Sequence, residues 1–197
     1  MAKNVLVAIA DGTEELEAIT IIDVLRRAGA EVTVAAVGNP DVICSRSVKI
    51  TADALISDCT DIEYDLIALP GGLGGAEHLR DCAELIEMLK RQRASGRLYA
   101  AICATPAVVL WPHGLLHGQK ATGYPAPDMD FEGRVDDRVV VDGNCITSQG
   151  PGTALEFALK LVVLLFGRAK RDEIAKAMLA KATVPFGWLG RVNYKSM

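Results

Sequence analysis

Histidine is scarce in this sequence, with three among 197 residues. His113-Gly-Leu-Leu-His117 has the i, i+4 spacing of a ligand pair, but Pro112 and Gly114 disfavour a regular helix there. No HExxH occurs and no cysteine is spaced to join a metal set, so no metal is expected. There is no G-x-S-x-G, which removes the usual serine-hydrolase elbow. There is no Gly-Lys-Ser/Thr after a glycine-rich turn, and Glu77 stands where G-x-G-x-x-G needs its last glycine. Nucleotide binding is therefore unsupported. A dense Lys/Arg run is also missing, and the net charge is −4, so nucleic acid is not expected as the main partner.

Long apolar runs are missing too. Residues 5–10 are apolar but acidic residues follow, and residues 157–166 are interrupted by Lys160. Neither reads as a signal peptide or a membrane span. The five cysteines, at 44, 59, 82, 103 and 145, form no CxxC pair and no disulfide grid. They fit a reducing compartment, and the cytoplasm is the expected location.

What is present alternates. Residues 5–10, 31–37, 65–69 and 98–102 read as strands. Residues 5–10 and 98–102 are continuous apolar runs, as in strands covered on both faces. Helices are expected from Thr13, as N-cap, to about Arg27, over 84–94, just after Cys103, from a Thr153-Ala-Leu-Glu156 capping box to Phe166, and over 172–182. Short extended pieces lie within 42–50. Asp142-Gly143 signals a hairpin between 139–141 and 145–148. The pattern predicts an α/β fold with a mostly parallel sheet. One domain over 1–197 is expected. Its tail, 183–197, carries Phe186, Trp188 and Tyr194, and two readings stand: docking of the aromatics, or a frayed end.

Within 16–25 only Glu17, Thr20 and Asp23 are polar, so that helix is apolar around most of its circumference. Such breadth predicts burial on two sides, by the sheet and by a second subunit; a single-sided helix with exposed isoleucine is the alternative.

Open parallel sheets place sites at the carboxyl ends of strands. Cys103 stands at a strand-to-helix junction, where a helix N-terminus favours thiolate. It reads equally as a reactive thiol or as a small buried hydrophobe. Glu17 reads as a carboxyl of raised pKa beside that thiol or as a solvated first-turn acid, and Glu14 and Glu15 read as solvated acids. The glycines from 71 to 75 suit an oxyanion pocket or a tight turn.

Taken together the strand ends resemble the ThiJ/PfpI superfamily, closest to its Parkinsonism-associated deglycase branch. The carriers are Asp11-Gly-Thr-Glu-Glu-Leu-Glu17, Arg26-Arg-Ala-Gly29, Cys44-Ser-Arg46, Leu69-Pro-Gly-Gly72, Ala100-Ala-Ile-Cys103-Ala, Thr147-Ser-Gln-Gly-Pro-Gly-Thr153 and Glu156-Phe-Ala158. The resemblance implies a flavodoxin-like three-layer sandwich and a homodimer. It implies Cys103 as nucleophile, Glu17 as its protonated partner, and the Gly72 and Ala104 amides facing the oxyanion. Tyr124, Gly71 and Pro151 would support the pocket, with Glu14, Arg27 and Arg46 near the dimer contact. The implied activity is cofactor-free conversion of methylglyoxal, or deglycation of its adducts. The alternative is a redox sensor or chaperone-like protein whose Cys103 becomes a sulfinate; thiamine-related metabolism ranks last. Two positions depart from the pattern. Ala104 stands where protease-like members carry histidine, which weakens a peptidase reading. Tyr124, in Thr122-Gly-Tyr-Pro125, stands where closer relatives often have histidine, and a phenol of ordinary pKa near 10 is a poor base at neutral pH.

Overall fold

In this computed structural model residues 2–180 are described. The expected aromatic tail at 183–197 lies outside them. The chain opens with β1 (Asn4–Ile9), α1 (Glu15–Arg27) and β2 (Glu31–Ala36). A small hairpin, β3 (Asp41–Ile43) and β4 (Lys49–Thr51), and the two-residue β5 (Ala54–Leu55) follow. Next come β6 (Leu66–Leu69), α2 (Leu73–Arg80), α3 (Ala83–Ala94) and β7 (Leu98–Ile102). β8 (Val139–Asp142), β9 (Cys145–Ser148), α4 (Ala154–Phe166) and α5 (Arg168–Ala177) complete it.

Seven strands form one sheet in the order β5-β2-β1-β6-β7-β9-β8. All pair in parallel except β8, which runs antiparallel to β9 from Val139↔Ser148 to Asp142↔Cys145. β1 explains its central place: from Val5 to Ala10 every residue is apolar and fully buried. From β1 the chain moves outward to β2, but from β6 it moves the other way to β7. With right-handed crossovers this reversal puts the intervening helices on opposite faces. Accordingly α1 packs with α4 and α4 with α5, whereas α2 packs with α3 and with the turn after β7. The result is the expected flavodoxin-like sandwich. Its switch point lies between the carboxyl ends of β1 and β6, where such sheets hold their sites.

Several local readings change. The glycine-rich stretch after β6 is not only a turn: it opens α2, an unpredicted helix. Its glycines hide the helical signal because they serve close packing. A Cβ at Gly75 would lie 2.7 Å from the backbone of Thr13. Thr13 does not cap α1. It is fully buried, its hydroxyl accepts from the Ala10 amide at 2.9 Å, and Glu14 is the cap, accepting from the Glu17 amide at 2.7 Å. Helix α4 begins where expected, yet the capping box does not form. The Thr153 hydroxyl bonds Gly150 and Ser148, and Glu156 pairs with Arg138. Helix α5 starts and stops earlier than 172–182, set by Gly167 at φ +87° and by Leu179 at φ +54° beyond its end. The hairpin turn centres on Gly143-Asn144, one residue later than the Asp142-Gly143 signal, because Asp142 pairs with Cys145.

Adjacent glycines in α2 should respond with opposite signs. Gly75→Ala must push Thr13 backbone aside and is expected to lose roughly 1–3 kcal/mol. Gly74→Ala meets nothing nearer than 3.7 Å and gains helix propensity, up to about 1 kcal/mol. Thermal melts of the two variants against wild type check this.

Candidate active site

The apolar strand β7 delivers Cys103 to the top of the sheet. Cys103 has φ +65°, a left-handed backbone that non-glycine residues rarely adopt. Its amide donates to Ser148 O at 3.0 Å, and its carbonyl accepts from the Tyr124 amide at 2.7 Å. Those bonds hold the strained turn in place. After it the chain coils into one wide helical turn from Pro106 to Leu110, in which the Trp111 amide donates to Pro106 O. Cys103 is buried, with 9% of the residue exposed.

Glu17 arrives from the first turn of α1 and is fully buried. Its Oε2 accepts from the Gly71 amide at 2.6 Å, while Oε1 has no conventional hydrogen-bond partner. Gly71 fills the gap between acid and thiol. A Cβ there would lie 2.5 Å from Cys103 Cβ and 2.8 Å from Glu17 Oε2. Gly72, at φ +89°, would drive a Cβ into Gly12 O. Glu14 locks the same corner, since its amide donates to Gly71 O at 2.8 Å.

Burial pushes the Glu17 carboxyl up to about 7, against the pull of the Gly71 amide, with the negative Glu14 adding to the rise. Burial likewise pushes the Cys103 thiol well above its ordinary value, and a charged Glu17 pushes it further. The Gly72 and Ala104 amides hydrogen-bond the sulfur and pull the other way. The groups form one coupled pair. Moving the proton from sulfur to carboxylate creates the nucleophile without changing the pair's net charge.

Thus Cys103, Glu17, Gly71, Gly72 and Ala104 lie together at one place. Tyr124 joins them through its backbone; its side chain is 45% exposed and lies along Gly150, next to the half-buried Pro151. Arg46 lies exposed at the tip between β3 and β4, close to the start of α1. Arg27 does not: it pairs with Asp23 in the last turn of α1, about 15 Å along the axis from Glu17. Glu15 is not a solvated acid. It is buried and accepts from Ser45 Oγ at 2.9 Å and the Arg46 amide at 2.8 Å. Burial opposes its charge, but these bonds prevail and hold its carboxyl below the ordinary range. The other cysteines stay out of the site: Cys44, Cys59 and Cys145 are buried and Cys82 half-buried, and all five thiols are free. Thr105 went unread in the sequence; its one signal is a hydroxyl in the first turn after a strand end. Among the described residues, no group of three or more His, Cys, Asp or Glu side chains could hold a metal ion. Nor is any described helix long and apolar enough to cross a membrane.

A doubly wound sheet with a strained cysteine at the end of β7, beside its switch point and facing a buried carboxyl, defines a flavodoxin-like protein with a thiol-centred site. The chain belongs to the DJ-1/PfpI family, whose profile matches residues 3–164. Protein DJ-1 homolog B of Arabidopsis thaliana is 53% identical over 179 residues, which are 89% of this chain and 41% of that protein. The chain therefore spans less than half of that relative. Glutathione-independent glyoxalase DJR-1.2 of Caenorhabditis elegans is 39% identical over 175 residues, covering 87% of this chain and 93% of that one. The solved structure of oxidized Toxoplasma gondii DJ-1 is 49% identical with a TM-score of 0.88, covering 91% of this chain and 100% of that one.

The raised pKa of Glu17 makes a signed prediction. Below its ordinary value of 4.5 the carboxyl is protonated whether folded or not; from there to about 7 it is protonated only in the fold. The stabilising contribution is full at low pH and lost as pH rises through about 7, and amounts to roughly 3 kcal/mol. Glu17→Gln, which keeps an acceptor for Gly71, should therefore show a flatter stability profile than wild type between about pH 5 and 8. Thermal melts across that range check it; parallel profiles would contradict the assignment.

Proposed function

We propose that the chain is a cofactor-free, cysteine-dependent glyoxalase and deglycase acting on methylglyoxal and its adducts. The observation that carries the reading is the Cys103–Glu17 pair at a strained elbow, with two amides on the sulfur side. The glyoxalase name of the Caenorhabditis relative supports it.

The Cys103 thiolate attacks the aldehyde carbon, and the oxygen of the resulting hemithioacetal faces the Gly72 and Ala104 amides. Glu17, which holds the thiol's proton, gives it to that oxygen. The carboxylate so freed takes the proton from the attacked carbon and returns one to the neighbouring carbonyl carbon, while the hydroxyl proton moves to the neighbouring oxygen. The keto-aldehyde is thereby rearranged internally to a lactoyl thioester, without an external oxidant. Water cleaves the thioester, releasing lactate and the thiol. No histidine takes part: the turn across the site presents Tyr124.

A homodimer belongs to the same reading. Leu16 and Ile19 on α1, and Ile43 and Val48 on the hairpin, are each about half exposed. Hydrogen bonds join these two elements, from Ser45 and Arg46 to Glu15 and from the Gly12 amide to Ile43 O. They present one apolar surface that a second copy would cover. The free thiols fit the cytoplasm. A second reading, a redox sensor, is favoured by the amides on the Cys103 sulfur, which could hold the oxygens of a sulfinate.

Lactate measured directly from methylglyoxal should fall at least about a hundredfold in Cys103→Ser. Unchanged production would sink the enzymatic reading. In the same preparations, peptide masses after mild peroxide should show Cys103 oxidised ahead of the other cysteines if the sensor reading holds. Leu16→Asp combined with Ile19→Asp should shift the sedimenting species from two chains to one; a wild type that already sediments as one chain rules out the dimer.

A further inference from the structure

One buried hydroxyl at the elbow is not used by the chemistry above. Thr105 is fully buried. Its Oγ1 accepts from the Ile102 amide at 3.1 Å, and its single proton lies between Ile102 O at 2.8 Å and Leu69 O at 3.1 Å. Ile102 ends β7, directly before Cys103, and Leu69 ends β6, directly before Pro70-Gly71-Gly72. The ladder between these strands closes at the pair Leu69↔Ala101. Just past that pair, the Thr105 hydroxyl reaches from one strand end to the other.

We propose that Thr105 is a positioning residue that fixes the Gly72 amide and the Gly71–Glu17 contact relative to the Cys103 sulfur. The geometry leaves little slack. Gly71 is already at the closest approach that Cys103 and Glu17 allow, and its own carbonyl is held by the Glu14 amide. On the β6 side, the chain enters this loop through the Leu69 carbonyl. If that carbonyl is released, the loop can move outward and the Gly72 amide leaves the sulfur. A thiolate that loses an amide donor is harder to form, so the thiol becomes less reactive at a given pH. Thr105 touches no reacting atom and acts only through the two strand ends.

The consequence for turnover rests on the glyoxalase reading; the consequence for thiol reactivity does not. The test is therefore iodoacetamide modification of Cys103, followed by peptide mass spectrometry across a pH series, beside lactate formation from methylglyoxal. Thr105→Val keeps the shape and removes the hydroxyl. We expect its Cys103 to react about fivefold more slowly at neutral pH, with the midpoint of the pH profile raised by about 0.7 unit. kcat should fall while KM stays near wild type, and Thr105→Ser should restore both profiles. A Thr105→Val protein that melts earlier but alkylates with the wild-type pH profile overturns the proposal, because the hydroxyl then serves stability alone. If Thr105→Val does not fold, Thr105→Ala is read in its place; failure of both to fold overturns the proposal in the same way. If wild type makes no lactate the enzymatic reading fails, and the alkylation profiles still decide the role of Thr105.

Discussion

Everything around the site is arranged to bury one carboxyl. An isolated charge of that kind in the interior is prohibitively costly, so the group either finds partners or keeps a proton. Glu17 does some of each. One oxygen takes the Gly71 amide, and the other is left facing the thiol side with no conventional partner. With one strong donor instead of several, the carboxyl retains its proton to about neutral pH. The same shortage sets the carboxyl near neutrality, where the group can both hold and release a proton beside the thiol.

Close backbone contact keeps the carboxyl there. The loop entering α1 is pressed against the first turn of α2 so tightly that Gly72 and Gly75 have no room for a Cβ. Glu14 ties the two from the other side, with its amide on Gly71 and its carboxylate on the Glu17 amide. A second acid, Glu15, takes its donors from the hairpin and anchors that hairpin beside the helix start. Adjacent glutamates thus do opposite things: Glu15 stays charged through several donors, and Glu17 is held neutral by having few.

The sequence made the framework legible where signals are local. The apolar run at 5–10 has the character of a strand covered on both faces, and β1 lies there at the centre of the sheet. From the residues alone the pairing of Cys103 with Glu17 was one of two readings, and the family resemblance joined them; 86 positions separate the two and only the sheet order brings them together. The misreadings share that cause. Glu15 looked solvated because its donors come from the hairpin, some thirty positions away. Thr153 and Glu156 have the spacing of a capping box, yet their hydroxyl and carboxylate find Gly150, Ser148 and Arg138 instead. Helix α2 was hidden by glycines that are there for a neighbour's sake. Arg27 matched a motif in the sequence, but its helix carries it away from the site.

The elbow at Cys103 also bears on the stability of the whole chain. A left-handed backbone at a residue with a side chain costs on the order of 1–2 kcal/mol, and glycine would relieve it. The fold is thus less stable at Cys103 than a glycine could make it. Under selection for stability alone a glycine would be favoured at this position, and the thiol that faces Glu17 would be lost with the exchange.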